Sequence, residues 1–283
     1  MLIQIEAGVR LFVDVEGAGL VTEGPAMRAR PTLVLLHGGP GYDHSGFKPA
    51  FSRLADVAQI VYYDHRGHGR SDRRPPGEWT LDNYADDVVR LCEALGVHRP
   101  IVLGQSFGGF VAQRYIARHP AHASKVILSS TSPHLGLARK LAMFERLGGA
   151  QARDVAERFW TAPSAATWAA YNVVCKPYYN TVQRANDDAN QRIVFNEEIL
   201  FASAGGEQQT MNLLPGLARA QCPVLVMAGA LDPVCPLEDS RDIAAALPAS
   251  QMKWAVFERS GHGAWRDEPD AAFAQLREFI TAS

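Results

Sequence analysis

Residues 104–109 read Gly104-Gln105-Ser106-Phe107-Gly108-Gly109, a G-x-S-x-G pattern between two different periodicities. The apolar run 101–103 before it is typical of a buried strand, and the pattern over 107–117 after it is helical. So short a connection forces a tight turn, in which the serine adopts a strained backbone and the flanking glycines avoid clashes. We therefore expect Ser106 to project from the carboxyl edge of a sheet, beside a helix N-terminus that favours developing negative charge.

Strand-like and helix-like segments alternate along most of the chain. Strands are predicted at 9–15, 32–36, 59–63, 101–103, 125–129, 224–227 and 253–257. Helices are predicted at 81–95, 107–117, 237–247 and 267–280, the last with Pro269 marking its start. Most of these strands are almost continuously apolar, as in a parallel sheet covered by helices on both faces. The alternation predicts an α/β fold with a mostly parallel, doubly wound sheet.

One long segment interrupts this alternation. Residues 133–215 show helical patterns rich in aromatic side chains and no convincing strand. The segment is too long for a loop without structure, so we expect an inserted helical cap. The predicted organisation is a core domain in two parts, 1–132 and 216–283, with the cap at 133–215 between them.

Composition limits the classes of partner. The formal net charge is −2 and no segment carries a basic stripe, which argues against nucleic acid or an anionic membrane surface. No apolar run approaches the roughly 18 residues that span a bilayer, so a soluble, cytoplasmic protein is expected. The four cysteines form no C-x-x-C pair and are expected to be free thiols.

The surroundings of Ser106 suggest nucleophilic catalysis. A serine hydroxyl attacks well only when a base takes its proton, and a carboxylate must orient that base. In folds with this strand–turn–helix motif the expected chain order is serine, acid, histidine. Asp232 follows the predicted strand 224–227 and His262 follows the last predicted strand, so these two complete the candidate triad. Asp239 and Asp242 lie in the next predicted helix and are expected to be surface charges.

Acyl transfer also needs two backbone N–H groups that stabilise the oxyanion. We expect one from Phe107, directly after the nucleophile. The other is expected from Gly39 in His37-Gly38-Gly39-Pro40-Gly41, because glycine lets the backbone approach a substrate closely. His37 is expected to brace this loop. The chain contains no G-x-x-x-x-G-K-[ST] sequence, so a phosphate-binding loop is not indicated.

A second loop, Asp64-His65-Arg66-Gly67-His68-Gly69-Arg70-Ser71, follows another predicted strand. Asp64, His65 and His68 offer metal-ligand chemistry, but no second cluster of ligands supports a metal site. The better explanation is a loop organised by hydrogen bonds of Asp64 and Arg66. The sequence thus predicts no metal and no cofactor.

Taken together, these motifs resemble the α/β-hydrolase superfamily, and specifically its proline iminopeptidase group. Residues 37–41 match the H-G-G-P-G of that group, 64–71 are similar to its D-x-R-G-x-G-x-S, and 104–109 resemble its serine turn. The resemblance implies the α/β-hydrolase fold and a serine hydrolase with a Ser-His-Asp triad. H-G-G-P-G also occurs in esterases and lactonases of the same superfamily.

The resemblance also concerns substrate recognition. Proline iminopeptidases release N-terminal proline and bind its ammonium through acidic residues. One acid typically follows the catalytic aspartate, where this chain has Pro233. Another comes from the late cap, where Glu207 is the nearest equivalent and Glu197 and Glu198 are rivals. Glu207 is therefore a candidate substrate-binding residue, with a solvated cap glutamate as the alternative.

Three functional hypotheses remain, each with a small-molecule ester, amide or short peptide as partner. The first is a proline-iminopeptidase-like hydrolase. The second is a carboxylesterase or lactonase without aminopeptidase activity, with a carbon–carbon bond hydrolase as a less common relative. The aromatic cap would serve an apolar ester or lactone equally well, and its Phe159 and Trp160 are candidate substrate-binding residues. The third is a ligand receptor that retains the triad.

Overall fold

The computed structural model describes residues 1–182 and 188–282. Its strands are β1 (Leu2–Glu6), β2 (Val9–Glu16), β3 (Leu20–Glu23), β4 (Ala26–Ala29), β5 (Thr32–Leu36), β6 (Gln59–Tyr63), β7 (Ile101–Gln105), β8 (Lys125–Ser129), β9 (Val224–Gly229) and β10 (Met252–Phe257). Its α-helices are α1 (Leu81–Leu95), α2 (Phe107–Arg118), α3 (Leu137–Thr161), α4 (Ala165–Val174), α5 (Asp188–Arg192), α6 (Glu197–Gly205), α7 (Glu207–Thr210), α8 (Leu214–Leu217), α9 (Leu237–Ala246), α10 (Ala264–Asp267) and α11 (Pro269–Thr281).

Eight of the described strands form one sheet in the order β1-β2-β6-β5-β7-β8-β9-β10. The six strands from β6 to β10 in this order are parallel, and β2 and β1 continue the sheet in antiparallel fashion. Strands β3 and β4 form a separate antiparallel pair. The predicted α/β class with a mostly parallel sheet is confirmed.

The topology places one crevice at the edge where the parallel strands end. The chain passes from β5 to β6 on one side and then crosses through α1 to β7 on the other side of β5. In open α/β sheets ligands bind at such a switch point, outside the carboxyl ends of the strands. The two loops that meet here are 37–41 after β5 and the Ser106 turn after β7.

Apolar side chains on both sheet faces hold this arrangement together. One cluster contains Val34 and Val102 from the sheet and packs under α1 and α2. The other contains Leu33 and Leu103 and packs under α11. Because neighbouring residues of one strand enter opposite clusters, the strands must be apolar throughout. Each fully buried valine or leucine contributes about 1.5–3 kcal/mol to stability.

The segment between β8 and β9 contains helices α3 to α8 and, within the described residues, no strand. Its own apolar cluster is aromatic, with Phe144, Phe159, Trp160 and Tyr171 buried together. Val234 and Cys235 of the core join the same cluster, so the helices pack directly over the loop after β9. The boundaries of a separate cap at 133 and 215 stay a prediction. None of the helices in the described ranges has the length and apolar character needed to cross a membrane.

Two glycines allow the close approach of α2 to the sheet. A Cβ at Gly108 would lie 2.0 Å from the carbonyl oxygen of Leu36, and one at Gly104 would lie 2.3 Å from the carbonyl oxygen of Gly108. Both distances are far below van der Waals contact, and backbone atoms cannot move aside as a flexible side chain can. The start of α2 therefore touches the ends of β5 and β7 only because these positions carry no side chain.

We expect Gly108→Ala to lower the free energy of unfolding by at least about 3 kcal/mol, because the added methyl group forces α2 away from Leu36. Gly77→Ala is the matched control, since a Cβ there meets no atom within 4 Å. We expect it to change stability by less than about 0.5 kcal/mol. Urea-induced unfolding measures both values. Equal stability of the two variants would contradict this account of the turn.

Candidate active site

Ser106 lies between the last residue of β7, Gln105, and the first residue of α2, Phe107. Its backbone has φ 55° and ψ −117°, a conformation that residues other than glycine rarely adopt. Two hydrogen bonds hold it there: its N–H donates to the Ser129 carbonyl at 3.0 Å, and its carbonyl accepts from Thr131 Oγ1 at 2.8 Å. The strain of about 1–3 kcal/mol is therefore sustained by contacts to the neighbouring strand.

The structure brings Ser106, His262 and Asp232 into one hydrogen-bonded chain. His262 Nε2 lies 2.9 Å from Ser106 Oγ, and His262 Nδ1 lies 2.8 Å from Asp232 Oδ2. Asp232 is fully buried, and its other oxygen accepts from the N–H groups of Val234 and Cys235, each at 2.8 Å. With a proton on Nδ1 directed to the carboxylate, Nε2 is free to accept the serine proton.

Residues of the segment after α4 support the histidine, and this support was not predicted from the sequence. The N–H of His262 donates to the carbonyl of Tyr179, whose ring lies 5.3 Å from the imidazole, centroid to centroid. Asn180 Nδ2 donates to the His262 carbonyl at 3.4 Å. A Cβ at Gly261 would lie 2.2 Å from the Tyr179 carbonyl oxygen. Tyr179 is one of many aromatic residues in its segment, and nothing in its local pattern marks this contact with a distant residue.

The loop after β5 packs directly on Ser106. A Cβ at Gly38 would lie 3.3 Å from Ser106 Cβ, and Gly39 has φ 139°, which favours glycine. Within the described ranges, the N–H groups of Gly39 and Phe107 donate no hydrogen bond to protein. Both residues are therefore available for the role predicted from the sequence, which stays a prediction.

His37 ties this loop to the neighbouring loop 64–71. Its Nε2 accepts from the N–H of His65 at 3.1 Å, which leaves the proton on Nδ1 to donate to the Gly38 carbonyl at 2.8 Å. The rings of His37 and His65 lie 4.3 Å apart. The bonds fix the position of Gly38 and Gly39 before any substrate binds, as electrostatic stabilisation of an oxyanion requires.

The loop 64–71 is organised by hydrogen bonds rather than arranged as a metal site. Asp64 accepts from His44 Nδ1 at 2.6 Å and from the N–H of Arg70 at 2.8 Å. His65 Nδ1 lies 3.1 Å from the Tyr63 hydroxyl, so the His65 ring and the Asp64 carboxylate bind different partners. Arg66 in the same loop binds three carboxylates, those of Asp87, Glu78 and Glu6.

Among the described residues, two other groups of side chains bring metal-ligand atoms within 4.8 Å of one another. In the first, Asp232 and His262 already bind each other, and burial raises the pKa of the Cys235 thiol, which disfavours the thiolate that a metal needs. The second consists of His134, Asp239 and Asp242, and both carboxylates bind Arg139, at 2.8 and 2.5 Å. Asp239, expected at the surface, is fully buried by this pairing. The four cysteines are free and buried.

Ser106 and His262 open on a cavity of about 330 Å³. Gly39, Phe159 and Trp160 line it, in the region where the sequence placed substrate contacts. This volume lies near the lower end of the range for small-molecule pockets, roughly 300–1,000 Å³. The arrangement is suited to a small substrate whose carbonyl carbon reaches Ser106.

Glu207, the candidate for binding a substrate ammonium, does not line this cavity. Its carboxylate accepts from the N–H of Leu81 at 2.9 Å and pairs with Arg114 at 3.6 Å. It therefore stabilises the N-terminus of α1, where a negative charge is favourable. The prediction that Glu207 binds substrate is wrong. Glu197 and Glu198, its rivals, are exposed and do not line the cavity either.

The charged residues of the described cavity wall are mostly cationic. Lys140, Lys176 and Arg266 line it. Asp43 is the acidic residue of this wall, and its carboxylate is already bound by Arg70 at 2.6 Å. None of these cations was predicted from the sequence, because their positions within helices and loops carry no signal of which side they face.

Comparison with known proteins places this geometry in a family. A family model described as the alpha/beta hydrolase fold matches residues 31–269. The chain belongs to the α/β-hydrolase family. It is an enzyme of that family, and the fold and enzyme class predicted from the sequence are confirmed.

Individual relatives of this α/β hydrolase differ in their named activities. The proline iminopeptidase PfmaB of Pestalotiopsis fici is 28% identical over 282 residues, which cover 95% of this chain and 98% of that protein. A protein of Caulobacter sp. named as a putative carbamate hydrolase, RutD, is 28% identical over 264 residues, 91% of this chain and 93% of its own length. A crystal structure of a Mycobacterium smegmatis proline iminopeptidase superposes with a TM-score of 0.80 at 20% identity, covering 99% of this chain and 97% of that chain.

The histidines behind the 37–41 loop make stability depend on pH. Burial lowers the pKa of His68 from 6.5 to about 3, and it also lowers the pKa of His37 and of His65. These histidines therefore bind protons in the unfolded chain at pH values at which they stay neutral in the folded chain. Their contribution to stability is complete above about pH 6.5 and is lost as the pH falls from 6.5 toward 3.

We expect His68→Gln to reduce this loss, because glutamine cannot be protonated in the unfolded chain. Between about pH 7.5 and 5.5, one such histidine lowers the free energy of unfolding by about 1.4 kcal/mol, and the variant should lose that much less than the wild type. Urea-induced unfolding at both pH values provides the comparison. His98→Gln, at an exposed position, should keep the full loss. If His68→Gln loses as much unfolding free energy as the wild type between the two pH values, His68 is not held neutral in the folded protein.

Proposed function

We propose that this α/β hydrolase is a serine hydrolase that cleaves an ester or lactone through an acyl-enzyme on Ser106. The observation that carries the proposal is the hydrogen-bonded chain from Ser106 Oγ through His262 to the buried Asp232. This geometry supplies a nucleophile, a base within reach of its proton, and a carboxylate that orients the base and stabilises its protonated form.

The proposed reaction has two steps. As Ser106 Oγ attacks the carbonyl carbon, its proton passes to His262 Nε2, and the N–H groups of Gly39 and Phe107 stabilise the oxyanion. When the oxyanion collapses, the carbon–oxygen bond of the leaving group breaks and the leaving oxygen takes the proton from His262. In the second step a water loses a proton to the same histidine and attacks the acyl-enzyme, which releases the acid and restores Ser106.

The character of the cavity supports an ester or lactone over an N-terminal proline. Recognition of a free amine needs a carboxylate that faces the cavity, and among the described residues Asp43 is committed to Arg70 and Glu207 to α1. Pro233 occupies the position after the triad aspartate. Three lining cations further disfavour an ammonium. The aromatic wall of Phe159 and Trp160 suits the apolar part of an ester.

A proline-iminopeptidase activity is the second candidate. The similarity to PfmaB, named as a proline iminopeptidase, extends over 95% of this chain, and this is the observation in its favour. A receptor that retains the triad is the third possibility, and it requires slow turnover or none.

A substrate panel separates the three candidates. We expect the wild type to hydrolyse short-chain aryl esters or lactones with multiple turnovers and to leave proline arylamides intact. Ser106→Ala should lower kcat on the same esters by about 10³-fold or more, because it removes the nucleophile. Ser250→Ala, at an exposed turn position, should keep the wild-type rate. Turnover of prolyl substrates alone would establish the iminopeptidase, and single turnover of every compound would favour the receptor.

A further inference from the structure

Lys140 is a buried lysine in the first turn of α3, and only 1% of its surface is exposed. Lysine is almost never buried to this extent unless it has a partner of opposite charge. Its side chain nevertheless lines the cavity that contains Ser106. The triad mechanism assigns it no role.

The protein satisfies only part of the binding capacity of this ammonium group. Nζ donates to the carbonyl oxygen of Val234, and it lies 5.1 Å from the centroid of the Trp160 ring. An ammonium has three donors, and in the described part of the chain Val234 is the one hydrogen-bond acceptor found for it. No carboxylate of these residues forms an ion pair with Lys140.

Two acidic side chains lie in the same region, but each is engaged elsewhere. Asp232 binds His262 with one oxygen and backbone N–H groups with the other. Asp239 is bound by Arg139 at 2.8 Å. A buried cation without a counter-charge is costly, because burial removes the water that would otherwise solvate the charge. An anion that enters the cavity would supply the missing counter-charge.

Gln208 provides a second, independent observation. It is only 4% exposed and lines the same cavity, and its side-chain oxygen finds no hydrogen-bond partner among the described residues. Since the oxygen and nitrogen of an amide can exchange places by a flip, this group can present its NH₂ to an acceptor. A buried amide oxygen without a partner on the cavity wall points to a polar group of the ligand.

We infer that Lys140, with Gln208 in support, binds a carboxylate of the substrate, so that the enzyme acts on small esters or lactones that carry a second, negatively charged carboxyl group. This inference rests on the proposed function of Ser106. Lys140 is then a specificity-determining residue, which separates an acidic ester from its neutral counterpart. The cavity of about 330 Å³ is lined by both Lys140 and Ser106 and suits a small substrate. The product is a small dicarboxylic acid.

The test compares matched pairs of esters. Monoethyl esters of succinic, glutaric and adipic acid carry the second carboxylate, and ethyl butyrate, valerate and hexanoate are the neutral esters of equal acyl length. Hydrolysis is followed by proton release. We expect the wild type to show at least about a tenfold higher kcat/KM for one acidic ester than for its neutral partner, because only the acidic ester can form a hydrogen bond between charged groups with Lys140.

Variants separate binding of the carboxylate from a structural role of the lysine. Lys140→Met keeps the length of the side chain and should lower kcat/KM for the acidic ester by about 10- to 100-fold while the neutral ester changes by less than about threefold. Lys140→Arg keeps the charge and should retain more of the preference than Lys140→Met. Lys253→Met removes the same charge from an exposed position on β10 and should leave the preference intact.

The possible outcomes test the role of Lys140 and the proposed function of Ser106 separately. Equal rates of the wild type on acidic and neutral esters overturn the inference and leave the proposed hydrolase intact, even if Lys140→Met fails to fold. An equal loss on both esters in Lys140→Met, without rescue by arginine, assigns Lys140 to the support of the Asp232 loop through Val234 and likewise overturns it. Inactivity of the wild type on all six esters and on the aryl esters contradicts the proposed function, and the inference with it.

Discussion

The strained turn at Ser106 is the constraint on which the rest of the site depends. Its positive φ is maintained because β8 accepts its N–H and because Gly108 lets α2 begin within contact of Leu36. The same approach brings the 37–41 loop onto the Ser106 side chain. Ser106, the helix N-terminus and the candidate oxyanion donors are thus positioned by one packing arrangement.

Much of the core could be predicted because its helices and strands follow from residues that lie close together in the sequence. Helix α1 spans the predicted residues 81–95, since its apolar spacing and its cap agree with its burial. Pro269 marks the start of α11, because proline suits the first helical position. The prediction of 267–280 as one helix was wrong only in its first residues, which belong to the short α10 and the junction after it. The exposed pair of β3 and β4 was missed because its residues show no alternation of apolar and polar side chains.

The parts that were mispredicted depend on contacts between distant segments. Glu207 was assigned by resemblance, but its partner Leu81 lies 126 residues away and belongs to the core. Asp239 was expected at the surface because nothing near it in sequence reveals Arg139, 100 residues away. Ser106, Asp232 and His262 could be expected to lie together because each follows a strand, and parallel strands end at one edge. The lining of the cavity follows no such rule.

The cavity wall differs in charge from the wall expected from the sequence. Glu207 does not line the cavity, whereas Lys140, Lys176 and Arg266 do. The charged side chains of the described wall are therefore mostly cationic. Because a charged wall attracts ligands of opposite sign, this wall supports the proposal of a substrate without an ammonium group.

The central claim is that Ser106 is the nucleophile of this site. Reaction of the protein with a fluorophosphonate, followed by intact-mass measurement and peptide mapping, tests it most directly. We expect one phosphonyl group per chain, located on Ser106, and no adduct in the Ser106→Ala variant. An adduct on a different residue, or undiminished labelling of Ser106→Ala, would contradict it.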